Sequence, residues 1–176
     1  LAALALPRTL DHLPDRPVMM AGAAIMAVTL LGLAFEVATL GLSWAVLLAA
    51  WFLVGIGYSA VLTPSGRLLR RSAHAEDRPA LFAAQFALSH ACWLVTYPLS
   101  GWMMTSFGAV PALGALAVLA AAGIVLALVL WPNADPEVLE HTHGNLPMDH
   151  PHLQGHRRHS HRFVVDEDHP RWSSHL

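Results

Sequence analysis

The sequence has little charge, a single cysteine and no lysine among its 176 residues. Charged residues make up 12% and hydrophobic residues 55%, which leaves too few charges to cover the surface of a soluble protein. The lone Cys92 excludes a disulfide framework and a cysteine-based metal cluster. A formal net charge of −2 indicates no nucleic-acid partner. The composition therefore predicts a protein whose main partner is the lipid bilayer.

The signatures of common enzyme classes are also lacking. The sequence contains no paired carboxylates at catalytic spacing, no nucleophile elbow and no phosphate-binding loop. Ser89 and His90 are adjacent, but neighbours on a helix point about 100° apart and do not form a catalytic pair. We therefore expect no enzyme activity and no required cofactor.

What the sequence does contain is four long apolar runs, at residues 18–35, 42–62, 81–104 and 112–131. About 18 or more apolar residues suffice to span a bilayer as a helix. The predicted fold is an all-α integral membrane protein with about four complete transmembrane helices and a disordered cytoplasmic tail. Its expected parts are the end of a truncated transmembrane helix at 1–7, a cytoplasmic loop at 8–17, a four-helix membrane region at 18–132 and a His-rich tail at 133–176.

The third apolar run carries polar residues at helical spacing. Polar groups in hydrocarbon usually face other helices or a water-filled path, so this run predicts a helix that handles a polar solute. The candidate path residues are Gln85, Ser89, His90, Thr96, Tyr97 and, from the second run, Tyr58. The alternative is that His90 only forms a hydrogen bond to a neighbouring helix.

All ten basic residues are arginines, and their positions predict an orientation. They fall in the first loop, in the loop after the second run and in the tail, at positions 8, 16, 67, 70, 71, 78, 157, 158, 162 and 171. The turns at 36–41 and 105–111 contain none. Four alternating spans put the three basic segments on one side, which the positive-inside rule identifies as the cytoplasm.

Charged residues near the helix ends are candidates for a cytoplasmic gate. Acidic and basic partners at a helix mouth can form a latch that breaks when a transporter changes state. The candidates are Asp11, Asp15, Arg16, Arg67 and Arg71. The alternatives are an ordinary charged loop and arginines that only set topology. We also expect Thr63-Pro64-Ser65-Gly66 to break the second helix, because proline stops helices.

The tail holds nine of the twelve histidines. Neutral imidazole binds nickel, cobalt and zinc, so the tail predicts a site for a divalent metal. The candidate ligands are His141, His143, His150, His152, His156, His159 and His161. The alternative is a solvated tail with incidental metal affinity. The segment at 163–168, followed by His-Pro-Arg-Trp, is expected to dock on the cytoplasmic face.

The loop LPRTLDHLPDRPVMMAGA resembles the loop between helices eight and nine of a major facilitator superfamily transporter. Asp15-Arg16 match the Asp-Arg pair of that family's loop motif, whereas its leading Gly and later Gly-Arg-Arg are absent and Pro17 lies inside it. TPSGRLLRRS, the third apolar run and the His-rich tail resemble the NreB-like nickel-resistance permeases of bacteria. The resemblance implies two six-helix halves, with Val18 onward forming helices nine to twelve, and proton-driven export across the bacterial inner membrane.

Three functions are consistent with these patterns. The first is a fragment of a secondary transporter that exports a small solute, such as a divalent metal, together with the remaining N-terminal helices. The second is a transporter of an organic compound, because Tyr58, Trp93 and Tyr97 suit a moderately apolar solute. The third is a membrane protein that transports nothing and binds metal or partner proteins through its tail.

Overall fold

The computed structural model of the chain describes residues 13–132, 138–144, 146–153 and 155–169. These residues form four α-helices followed by a two-stranded antiparallel hairpin. All four helices are long and apolar enough to cross a membrane, which confirms the predicted all-α membrane fold. The predicted helix end at 1–7 and the gate candidate Asp11 lie outside the described residues.

Helix α1 spans Asp15–Thr39 and begins three residues before the predicted start at Val18. Pro17 lies in its first turn, where a missing N–H breaks no intrahelical hydrogen bond. Asp15 lies at the positive end of the helix dipole, which favours a carboxylate there. Part of the expected first loop is therefore helix.

Helix α2 spans Trp44–Arg71, and its continuity corrects the prediction of a break at Thr63-Pro64-Ser65-Gly66. Ser43 caps its start, where its Oγ accepts a hydrogen bond from the Val46 N–H at 3.3 Å. Pro64 is fully buried inside the helix, and the neighbouring Ser65 hydroxyl donates to Leu62 O at 2.6 Å. Membrane helices tolerate proline where packing against neighbouring helices compensates for the lost backbone bond.

Helix α3 spans Arg78–Phe107 and helix α4 spans Ala109–Leu130. Gly108 alone separates them and adopts a φ of +88°, a conformation that favours glycine. Pro111 lies in the first turn of α4, as expected for a residue without an N–H. Helix α3 has no buried residue, whereas α4 buries Ala112 and Ala117 against the rest of the bundle.

Helices α1 and α2 cross in close contact at Gly22 and Gly57. A Cβ atom at Gly22 would lie 2.7 Å from Gly57 O and 2.8 Å from the Ala60 Cβ. A Cβ atom at Gly57 would lie 2.6 Å from Gly22 O. Small residues let helix backbones approach closely in membranes, where dispersion contacts replace the hydrophobic effect as the driving force.

The tail differs from the expected disorder over its described residues. Strands β1 (Val138–Thr142) and β2 (Arg158–Arg162) pair antiparallel, and a short 3₁₀ helix at Pro151–Leu153 lies between them. Leu139, Phe163 and Val165 form a small apolar core. Composition alone misses this fold because few apolar residues are needed when they lie on one face of a hairpin.

The tail also contacts the membrane helices. The Val165 N–H donates a hydrogen bond to Arg71 O, at the last residue of α2, over 3.0 Å. Arg162 and Val164 line one cavity together with Asp15 and Arg67. The tail segment and the arginine-rich end of α2 therefore lie at the same end of the bundle.

Candidate functional site

Six tail histidines converge in one cluster, which we call the imidazole cluster. Strand side chains alternate between faces, so His141 and its cross-strand partner His159 share a face with His161, two residues further on. The 3₁₀ helix adds the ring of His152. The last two rings belong to His143, directly after β1, and His169, beyond the end of β2. The members are His141, His143, His152, His159, His161 and His169.

Ring nitrogens of this cluster lie within 4.8 Å of one another in sets of four, close enough for four rings to share one ion. His169 Nε2 is 2.9 Å from His141 Nε2. His152 Nε2 is 3.1 Å from His159 Nε2 and 3.3 Å from His161 Nε2. Four nitrogens at the zinc–imidazole distance of a tetrahedral site, about 2.0–2.1 Å, are about 3.3 Å from one another. The spacing therefore fits a bound first-row transition-metal ion.

The opposite ring nitrogens are held by acceptors, which selects the tautomer. Nδ1 of His141 lies 3.1 Å from Leu139 O, and Nδ1 of His161 lies 2.9 Å from Arg162 O. Nδ1 of His169 lies 2.8 Å from an Asp166 carboxylate oxygen. When Nδ1–H donates to such an acceptor, the Nε2 lone pair is left to bind an ion. The pair Asp166 and His169 has the carboxylate–histidine arrangement common behind metal ligands.

Burial favours the neutral form of three of the rings, His141, His143 and His152. Burial, and after it the charges that His169 and His141 carry when protonated, lowers the pKa of His143 to about 4. Burial also lowers the pKa of His141 and of His152. Because metals bind neutral imidazole, these rings are ready ligands at neutral pH.

One buried nitrogen in the cluster lacks a hydrogen-bond partner. The Nε2 atom of His143 is buried and has none within the described ranges. A buried polar atom without a partner costs free energy, and a coordinated cation would satisfy it. The donor chemistry, the spacing and this atom all fit a divalent metal.

Five of the seven predicted metal ligands belong to the cluster, and two do not. His150 lies outside it, with its Nε2 atom 3.8 Å from Asp168 Oδ1. His156 is exposed and contributes only backbone hydrogen bonds, including one to Leu153 O. His169 belongs to the cluster but was missed, because it lies eight residues after His161. Its spacing from Asp166, an acid three residues earlier, was the available signal.

Two gate candidates from different helices, Asp15 of α1 and Arg67 of α2, form an ion pair. Asp15 is 3% exposed, and Arg67 contacts its Oδ1 through both Nη2 and Nε, the latter at 2.8 Å. Arg67 Nη2 also donates to Leu13 O at 3.4 Å. Arg71 is buried at the end of α2, whereas the buried Nε and Nη2 atoms of Arg16 have no hydrogen-bond partner in the described part of the chain. The Asp15–Arg67 pair joins the start of α1 to the end of α2.

The candidate path residues lie mainly on one helix and form bonds within it. The His90 Nδ1 atom is 2.8 Å from Phe86 O, and the hydroxyl groups of Ser89 and Thr96 donate to carbonyls three and four residues earlier. The rings of Trp93 and Tyr97 stack along the helix, and the His90 ring lies tilted against Trp93. Gln85 is half-buried on the same helix, and Tyr58, on α2, is exposed.

Rings of α3 line a shallow groove on the bundle surface. The groove is formed by His90, Trp93, Leu94, Tyr97 and Pro98, all from one helix. Its walls are apolar apart from the imidazole and phenol groups. The groove can accommodate an aromatic or moderately apolar solute, and it can equally receive another helix.

Four apolar helices linked by short turns define a multi-pass helical membrane protein. The family model of the Major Facilitator Superfamily matches residues 1–163, so the chain belongs to this family of membrane transporters. No curated protein and no solved structure matches the chain.

Proposed function

We propose that the chain is part of a proton-coupled exporter of a divalent metal cation such as nickel, cobalt or zinc. The observation that carries this proposal is the imidazole cluster, in which six rings come within ion-binding distance at one end of the membrane helices. The nickel assignment also follows the resemblance to NreB-like permeases. In this proposal the cluster collects the metal and the membrane helices transport it.

The proposed location is the bacterial inner membrane, with the tail in the cytoplasm. The arginines at the end of α2 and those of the hairpin lie at one end of the bundle, since Val165 bonds to Arg71 there. An excess of arginine marks the cytoplasmic end of membrane helices. The Asp15–Arg67 pair at this end would open and close the cytoplasmic entrance as the transporter alternates.

A second candidate function is the efflux of an organic compound. The groove of His90, Trp93 and Tyr97 favours it, because aromatic rings bind moderately apolar solutes and α3 has no charged residue between Arg78 and Phe107. In that case the imidazole cluster would have no part in transport.

The experiment that distinguishes these functions expresses the whole gene in a metal-sensitive bacterial host. Growth and cell-associated metal are measured with nickel, cobalt, zinc and copper. The variants are His90→Ala, His152→Ala and a protein truncated after Pro132. His156→Ala is the matched control, because this tail histidine lies outside the imidazole cluster.

Lower cellular nickel or cobalt that is lost with His90→Ala would support metal export through α3. Loss only with His152→Ala and the truncation would assign metal handling to the tail and a structural role to His90. No response to any metal would reject metal export and favour the organic solute.

A further inference from the structure

The imidazole cluster contains two sets of four rings, and the sets differ in the chain segments that supply their histidines. The hairpin set is His141, His143, His152 and His159, and the bridging set is His141, His152, His161 and His169. In each set the donor atoms lie within 4.8 Å of one another. Because His141 and His152 belong to both, one ion can complete only one set at a time.

The two histidines found only in the bridging set flank, in the sequence, the segment that docks on α2. His161 and His169 lie on either side of residues 162–168. Within that segment Phe163 is 2% exposed and Val165 is 6% exposed, and the Val165 N–H bonds to Arg71 O. The ligands unique to the hairpin set, His143 and His159, lie outside it.

The docked segment also contacts the rings themselves. The Phe163 ring lies 5.0 Å from the His169 ring and 5.7 Å from the His141 ring. Asp166, one residue after Val165, holds the Nδ1 atom of His169 at 2.8 Å. The rings of the bridging set therefore contact residues on both sides of Val165, the residue that bonds to α2.

We propose that metal binding by the bridging set fixes residues 162–166 against the end of α2, beside the Asp15–Arg67 pair. This inference rests on the proposed metal binding of the tail. An ion held by His161 and His169 closes the chain between them and removes conformational freedom that undocking would otherwise gain. Coupling of this kind is reciprocal, so docking raises metal affinity by the same factor. Metal binding by the tail is thereby coupled to docking beside the Asp15–Arg67 pair, the proposed cytoplasmic gate.

The test uses trypsin cleavage after Arg162 in the full chain, reconstituted in lipid nanodiscs, with Ni²⁺ as the probe. Cleavage of a docked site tracks the fraction of time that the site is open. We expect Ni²⁺ to slow this cleavage by between about fivefold and 150-fold, the usual range of coupling between two sites. Metal affinity is measured in parallel by titration calorimetry.

Two matched histidine variants separate the sets. His169→Ala should abolish the protection by Ni²⁺, whereas His143→Ala should retain it. Cleavage after Arg158, which pairs with Glu140 across the hairpin, reports hairpin integrity and should be equal in both variants without metal. Loss of protection in His143→Ala with retention in His169→Ala would overturn the proposal.

A third variant removes the docking bond and keeps every ligand. Val165→Pro lacks the N–H that donates to Arg71 O, so it should still bind Ni²⁺, at lower affinity and without protection after Arg162. Ni²⁺ binding to the wild type with unchanged cleavage would overturn this inference alone. No Ni²⁺ binding at all would overturn it together with the metal-binding part of the proposed function.

Discussion

Helix α3 and the tail hairpin both carry histidines among other rings, but their polar atoms bond in opposite ways. On α3, His90 bonds to the backbone one turn earlier, and its ring contacts the rings of Phe86 and Trp93 on the same helix. In the tail, rings from separate segments face one another, and His152 approaches both His159 and His161. Polar side chains spaced along one helix form hydrogen bonds with the backbone of that helix. Histidines from separate segments instead bring their ring nitrogens together, where they can bind one ligand.

The largest effect should come from removing a ring that both sets share. His141→Ala or His152→Ala should weaken Ni²⁺ binding by at least about 100-fold, because even residues behind a metal ligand contribute 10–100-fold. Titration calorimetry on the full chain measures this. His90→Ala should leave the affinity unchanged. Equal losses in His90→Ala and His152→Ala would contradict the contrast between the two regions.

A smaller loss of metal affinity is expected from changing Asp166, whose carboxylate contacts the His169 ring. Asp166→Asn should weaken Ni²⁺ binding by about 10–100-fold, because it no longer holds the His169 ring and its tautomer. Burial by itself raises the pKa of Asp166, but its hydrogen bonds to His169 outweigh burial and hold that pKa below its usual value. Glu167→Gln, one residue away, is the control and should bind normally.

Acidification should loosen the hairpin before it affects α3. The pKa of His143 is about 4 in the folded chain against 6.5 for a free imidazole, so protonation favours the unfolded hairpin. This contribution to stability is complete above about pH 6.5 and is lost as the pH falls toward 4. Hydrogen exchange of the His143 N–H, which bonds to Arg157 O, measures it. Amides of α3 should exchange at rates that follow only the intrinsic pH dependence.

The smallest effect should come from hydroxyl groups on α3. Ser89→Ala and Thr96→Ala should each change the free energy of unfolding by less than about 1 kcal/mol, because their bonds stay within one helix. Denaturation of the chain in detergent, followed by helix content, measures this. A loss of several kcal/mol in either variant would indicate that α3 bonds to a partner helix.

The parts that could be predicted from the sequence are those set by local pattern. The four apolar runs identified the four helices because crossing a bilayer requires long uninterrupted hydrophobicity. The continuity of α2 through Pro64 could not be predicted, because it depends on how Pro64 is buried in the bundle. Local pattern shows where a residue can break a helix but not whether its surroundings compensate.

For the candidate site, too, the sequence predicted the residue types but not which residues the fold brings together. The sequence indicated histidines as ligands, but membership of the cluster depends on strand register, which places His141 opposite His159. His156 belongs to the same histidine-rich stretch as its neighbours and yet is exposed. His169 reaches the cluster only because the chain turns after Val165. The pairing of Asp15 with Arg67 likewise depends on the packing of α1 against α2, which brings the start of one helix to the end of the other.

The crossing at Gly22 and Gly57 has a consequence for how this chain can vary in evolution. Each glycine approaches the carbonyl oxygen of the other, and a carbonyl oxygen is present whatever residue occupies the position. A second substitution therefore cannot relieve the clash that a first one creates. Among related sequences we expect these two positions to stay glycine independently, whereas Asp15 and Arg67, which meet through side chains, can change together.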